Sequence, residues 1–396
     1  MPLSCLADGQ EIFAHRLAAS AFEELRKANA ANGHLRMCCC ASAVTLRTSK
    51  LGTRHFAHAR RGDCTTAPET AEHLLAKSLI ASVAEAAGWS ARTEARGVTP
   101  TGEAWIADVL ATKPGEAPIA FEVQWSRQGA AETASRTDTL RRSGVQAVWL
   151  MRQPDLPSSP ETPAAKLALS ACANFEVSLP AWEHEETAAA GGRGLQRDSA
   201  WLQKMDLAEF VSGVLEARLH FGLSGADRLR LTVRGASIDC WRCRKPTMLV
   251  LGIGIAHAGD RPGLEVCRPS IYDFDDGDEC RRFLQETLPT SLLRQHGIGA
   301  IKARASKAEG RSYLSNGCVR CDALQGRFYE HEVFWEEAPI FDTTVDAPII
   351  GYLAALAPAH KWWLAAKQFS RHPLVPAPSD LSDSTPQPPA GQAELF

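Results

Sequence analysis

Two cysteine pairs carry the sharpest chemical signal in the sequence: Cys240-Trp241-Arg242-Cys243 and Cys318-Val319-Arg320-Cys321. A C-x2-C turn aims two thiolates at one point, and two such turns supply the four soft ligands of a tetrahedral zinc ion, at about 2.3 Å each. A redox dithiol is the alternative for either pair alone, but no thioredoxin-like βαβ pattern surrounds them. The four cysteines therefore predict a closed structural zinc site. A less regular set, Cys40, His55, His58 and Cys64, has Cys38 and Cys39 beside it and Met37 where a first ligand would stand. It reads either as a second zinc site or as a packed His-Phe-Ala-His strand.

Acidic residues raise a different chemistry. In "PIAFEVQWS", residues 118–126, Ile119, Phe121, Val123 and Trp125 have the two-residue period of a half-buried strand, and Glu122 and Gln124 share its other face. Asp108 lies mid-strand in the preceding "AWIADVLAT". If the two strands are neighbours, the acids meet at one end of the sheet, with Glu72 and His73 of the preceding helix beside them. Two close carboxylates repel each other unless a cation lies between them, and a hard cation such as Mg²⁺ takes a few such oxygens plus water and phosphate. The plainer reading of either acid alone is an exposed strand face or a partner for an arginine.

The elements that must position these groups are signalled locally. A helix is predicted over residues 66–89, from capping-box spacing at Thr66 and Glu69, Pro68 in the first turn, a stripe of Leu75, Leu79, Ile80, Val83 and Ala87, and Gly88 at its end. Strands follow at 91–96, 104–111 and 118–126, then a polar helix at 129–143 and a buried strand at 145–151, giving the order αβββαβ. A further amphipathic helix is expected over 206–221. Pro, Ser and Gly-rich punctuation divides the chain into an N-terminal Cys/His module (1–64), an α/β core (65–152), a linker-rich connection (153–205), a C-terminal zinc-ribbon-containing α+β region (206–371) and a disordered tail (372–396).

The chain has 396 residues, more than one core usually serves, and its formal net charge of −3 excludes a globally basic nucleic-acid binder. Basic surface must be local. Arg47, Lys50, Arg54, Arg60 and Arg61 form one candidate, and Arg127, Arg136, Arg141, Arg142 and Arg152 another. The absence of a secretory pattern or an apolar run long enough for a bilayer leads to the expectation of a cytoplasmic protein without membrane contact.

Taken together, "AEHLLAK" (71–77), "WIADVL" (105–110), "AFEVQWS" (120–126) and "RTDTLRRSGVQAVWLM" (136–151) resemble the competence protein CoiA-like family, whose nuclease domain belongs to the PD-(D/E)XK superfamily. "RTSKLGTRHFAHARRGDC" (47–64) is similar to that family's His-containing N-terminal segment. The resemblance spans roughly residues 38–152 and implies a restriction-endonuclease-like core that cleaves DNA with Mg²⁺ or Mn²⁺. It would make Asp108, Glu122 and the Val123 carbonyl the cation ligands, with Glu72 completing the shell directly or through water. Gln124 stands where the superfamily more often has lysine; it can orient water but cannot take a proton. Lys77 and Arg136 are the candidates for the missing positive charge, Arg136 first. The same resemblance suggests partners in DNA uptake, recombination or defence. The alternative is a nuclease fold that binds or helps to process DNA without cutting it.

Overall fold

In the N-terminal module, β1 (Ser4–Ala7) pairs antiparallel with β2 (Gln10–Phe13) and with β3 (Leu35–Arg36), and α1 (Ala19–Asn32) crosses between them. The hairpin of β4 (Val44–Thr48) and β5 (Arg54–His58) completes it, with Leu3, Phe22 and Phe56 at the centre. These facts come from a computed structural model that describes residues 2–60, 64, 69–153, 159–170, 172, 174–179, 203–223, 228–258, 265–275, 278–346 and 361–365.

The expected αβββαβ order is present. It runs α2 (Ala71–Ala86), β6 (Ser90–Val98), β7 (Ala104–Thr112), β8 (Ile119–Gln124), α3 (Ala130–Arg142) and β9 (Gln146–Met151). The first three strands are antiparallel, and β9 returns parallel to β8 through α3. Helix α2 covers one face of the sheet over Val109, Phe121 and Val148. On the opposite face Leu140 of α3 packs with Ala107, Ala120 and Trp149. The buried Trp149 indole satisfies its N–H on Thr137 Oγ1 at 2.8 Å.

Helix α2 begins later than its sequence suggested. Thr70, not Thr66, is its cap, with Oγ1 accepting the His73 N–H at 3.2 Å; Thr66 and Pro68 lie outside the described residues. The buried face is also rotated to Leu74, Ala76, Lys77, Ile80, Ala81 and Ala84, and Leu79 is exposed. A single amphipathic stripe does not apply because the helix is covered twice: Leu74 joins the N-terminal core, and Ala76 and Ile80 face the sheet.

Residues 153–205 are more than a connection. They contribute β10 (Ala164–Leu169), β11 (Phe175–Leu179) and β12 (Gln203–Asp206), which extend the sheet to seven strands in the order β12-β11-β10-β9-β8-β7-β6. β10 is parallel to β9, with Ala164 opposite Trp149. "AAKLAL" is too rich in alanine to announce a strand; the exposed edge of β9 makes it one. Next, α4 (Leu207–Leu215) is capped by Asp206, whose Oδ1 accepts the Glu209 N–H at 2.7 Å, and it ends well short of residue 221. Residues 219–221 of that expected helix form β13 (Leu219–Phe221) instead.

Beyond it, β14 (Arg228–Asp239) and β15 (Pro246–His257) form a long hairpin. There follow α5 (Asp278–Thr287), α6 (Thr290–Gln295), β16 (Lys302–Ser306), β17 (Arg311–Gly317), β18 (Leu324–Gln325), α7 (Arg327–Val333), β19 (Ala338–Asp346) and β20 (Trp362–Leu364). β19 pairs with β14, and β20 pairs with β13, so Trp362 and Leu364 join the core under α2 and α4. The expected tail lies outside the described residues. Among those described, no helix is long and apolar enough to cross a membrane.

Candidate active site and metal centres

Strands β7 and β8 pair only from Val109–Phe121 to Ala111–Ile119. One step further, where the ladder stops, the same register sets Asp108 across from Glu122. There the Val123 N–H turns from the ladder to Asp108 Oδ2 at 2.9 Å. On the other side of β7, Thr93 pairs with Val109 and Ala95 with Ala107, so Glu94 also stands across from Asp108. Three acids on adjacent strands thus form one row.

Each acid has a different counterweight. Asp108 Oδ2 lies 3.3 Å from His73 Nε2. Burial opposes its charge, but His73, Lys77 and the Val123 N–H outweigh that and hold its carboxyl well below the usual range. Glu122 is fully buried and is pushed up to about 8, by desolvation first and the Asp108 charge second, against the pull of Arg136. Its Oε2 is paired with Arg136 Nη2, and its Oε1 has no hydrogen-bond partner. An unsatisfied buried oxygen costs about 1–3 kcal/mol until a proton or a cation meets it. Arg136 also lies over the Trp149 ring, 4.9 Å from its centroid.

Glu94 escaped the sequence reading. Its φ of 50° places it in the left-handed region, a conformation that costs an ordinary residue about 1–3 kcal/mol. The carboxylate accepts from Lys77 Nζ at 2.6 Å, from the Leu3 N–H at 3.0 Å and from Ser4 Oγ at 2.9 Å. Glu69, expected to serve the helix cap, lies instead 2.8 Å from the same ammonium. Burial alone would lower the Lys77 pKa; Glu94 and Glu69 more than reverse that. Lys77, a candidate for the superfamily's lysine, is therefore committed to these two acids. The only available signal was the strand register, which a sequence does not display.

Of the other expected residues, Gln124 directs its amide nitrogen to Ser126, at 3.0 Å from the carbonyl and 2.9 Å from the hydroxyl. Glu72 pairs with Lys50 at 2.8 Å and forms no shared ligand group with Asp108 and Glu122. Val123 meets Asp108 through its N–H. Within the second arginine set, Arg141 pairs with Asp138, and Arg142 with Asp138 and Glu103.

Both cysteine regions assemble donor groups close enough to share an ion. Cys240, Cys243, Cys318 and Cys321 converge, with Sγ separations of 3.7 Å for Cys240–Cys321 and 3.6 Å for Cys243–Cys318. A tetrahedron with bonds of about 2.3 Å has edges of about 3.8 Å, so the four sulfurs fit a zinc-sized ion. One pair sits in the turn between β14 and β15, the other between β17 and β18. The Arg320 N–H and the Gln325 amide donate to Cys318 and Cys240 sulfur at 3.4 and 3.3 Å, the outer contacts that orient such ligands.

The N-terminal group is Cys39, Cys40, His58 and Cys64, which corrects the expected set. Cys39 Sγ lies 3.4 Å from His58 Nε2 and 3.6 Å from the sulfurs of Cys40 and Cys64. His55 is outside the group: it is buried, with Nδ1 3.3 Å from the Thr53 carbonyl oxygen. Alternation along β5 explains this, since residues 55 and 58 differ by three positions and point to opposite faces. No family model, curated protein or solved structure matches the chain.

Proposed function

We propose that the chain is a nuclease of the restriction-endonuclease-like type, CoiA-like over residues 38–152, that hydrolyses DNA with Mg²⁺ or Mn²⁺. One observation carries the reading: the buried Glu122 carboxyl group, with Oε1 unsatisfied, stands across from the charged Asp108 where β7 and β8 part. Asp108 and Glu122 would hold the ion, which supplies positive charge against a phosphate oxygen and acidity to a water. His73 and the Val123 N–H keep Asp108 ionised and fixed; Arg136 keeps Glu122 in place through Oε2, and Oε1 stays without a hydrogen-bond partner. Gln124, at the end of β8, orients water rather than deprotonating it. Zinc is the ion we assign to both Cys/His groups, in structural roles.

The Arg136–Glu122 pair also favours a second reading, a nuclease fold that binds DNA without cutting, because a guanidinium already offsets the charge a cation would meet. Cleavage assays with Mg²⁺ or Mn²⁺ on single-stranded, duplex and branched DNA separate the two. The expected result is cutting by the wild type and a loss of at least about a hundredfold in Asp108→Ala and Glu122→Ala, the scale of a lost metal ligand. An uncut substrate with wild type, or equal cutting by all three proteins, overturns the nuclease reading.

A further inference from the structure

The carboxyl ends of the parallel strands β8, β9 and β10 open into a cavity of about 410 Å³ lined by Glu72, Trp125, Arg152, Leu167, Ala168 and Leu169. Small-ligand sites run from about 300 to 1,000 Å³, and open α/β sheets hold their ligands outside the carboxyl ends of their strands. Trp125 directly follows the strand that carries Glu122. Its ring stands edge-on to Phe175, with centroids 5.9 Å apart at 84°, which fixes its plane. Arg152, an exposed side chain, lies over that ring with its guanidinium carbon 5.6 Å from the centroid. Glu72 also lines the cavity, its carboxylate paired with Lys50 at 2.8 Å.

We propose that this cavity receives one unstacked nucleobase of single-stranded DNA, and that the proposed nuclease therefore selects unpaired over duplex DNA; the inference rests on the nuclease reading above. A flat aromatic face, an exposed guanidinium and the apolar side chains of Leu167 and Leu169 suit a flat heteroaromatic ring. The Glu72 carboxylate suits the exocyclic amino group of a base, since it is an acceptor without a donor. A base in a duplex would first have to leave its stack, at a cost of a few kcal/mol, whereas an unpaired strand offers its bases freely.

The test measures binding of a fluorescein-labelled oligonucleotide, single-stranded or as a blunt duplex, to full-length Asp108→Ala protein, which does not cut. Adding Trp125→Ala is expected to weaken single-strand binding by about tenfold to a hundredfold, the range of a lost aromatic–base stack. Trp125→Phe retains most of the affinity, and duplex binding changes less than about threefold. A loss under about threefold on the single strand, or an equal loss on the duplex, overturns the proposal. Should Trp125→Ala fail to fold in a thermal melt, a strand carrying 2-aminopurine decides: its fluorescence is quenched on saturation by Asp108→Ala, and an unchanged signal sinks the idea. The nuclease reading fails separately, by a wild type that binds single strands through Trp125 and never cuts them.

Discussion

Asp108 and Glu122 titrate against each other, and that governs how the pair meets a cation. With Glu122 raised from 4.5 to about 8 and Asp108 held low, the pair keeps one proton at neutral pH, on Glu122. The folded-state pKa exceeds the unfolded one, so the proton's contribution to stability is complete below about 4.5 and is lost as pH rises towards about 8. Cation binding must displace that proton. Mn²⁺ affinity, measured by calorimetry, is therefore expected to rise about tenfold per pH unit up to about 8 and then level off. Arg136→Gln removes the charge that favours ionised Glu122 and moves the profile to higher pH. A flat affinity from pH 6 to 9 would show that Glu122 is not a ligand. Both acids stood out in the sequence, Asp108 as a charge in the middle of an apolar strand and Glu122 on the polar face of an alternating one. Their unequal protonation was not, because it depends on Arg136, His73 and Lys77 arriving from two helices.

Helix α2 joins two bodies of structure, and Lys77 is the joint. Its ammonium lies between Glu69 and Glu94, and Glu94 in turn takes the Leu3 N–H and the Ser4 hydroxyl of β1. Replacing Lys77 with methionine strands a carboxylate beside an apolar interior, where breaking a buried pair typically costs about 3–5 kcal/mol. Urea denaturation should show a loss on that scale for Lys77→Met, and a smaller one for Lys77→Met combined with Glu94→Gln; a loss under about 1 kcal/mol for the single variant would show that water reaches the ion pair. The helix itself was legible from its apolar content and from Gly88, whose φ of 78° suits the turn after it. Its cap and buried face were not. A stripe identifies one covering surface, and α2 has both the sheet and the N-terminal module against it. Strands β10 to β12 escaped for a related reason: Pro and Ser punctuation marks a loop, but the unpaired edge of β9 recruits the weakly patterned segment after it.

At the scale of the whole chain, the two Cys/His groups could act as metal clips, and the C-terminal one would join the β14–β15 and β17–β18 turns, which belong to different sheets. Cys243 and Cys318 are 75 residues apart, and their sulfurs stand 3.6 Å from each other. A metal bound across so long a loop would remove closure entropy from the unfolded chain that no local contact removes. The C-x2-C spacing made this clip legible. The N-terminal one was blurred because three consecutive cysteines offer several choices, and only the β4–β5 hairpin brings His58, and not His55, to Cys39 and Cys40. The two groups lead to an expected content of two zinc ions per chain by elemental analysis. Cys39→Ser and Cys318→Ser should each lower this to about one, because a tetrahedral site that loses a thiolate binds far more weakly, while His55→Gln leaves two. The order matters more than the total. If His55→Gln loses an ion and Cys39→Ser keeps both, the alternation along β5 is inverted and the N-terminal hairpin must pair in another register. If chelation leaves thermal stability unchanged, the clips do not hold the fold, and the β14–β15 and β17–β18 turns close through their backbones alone.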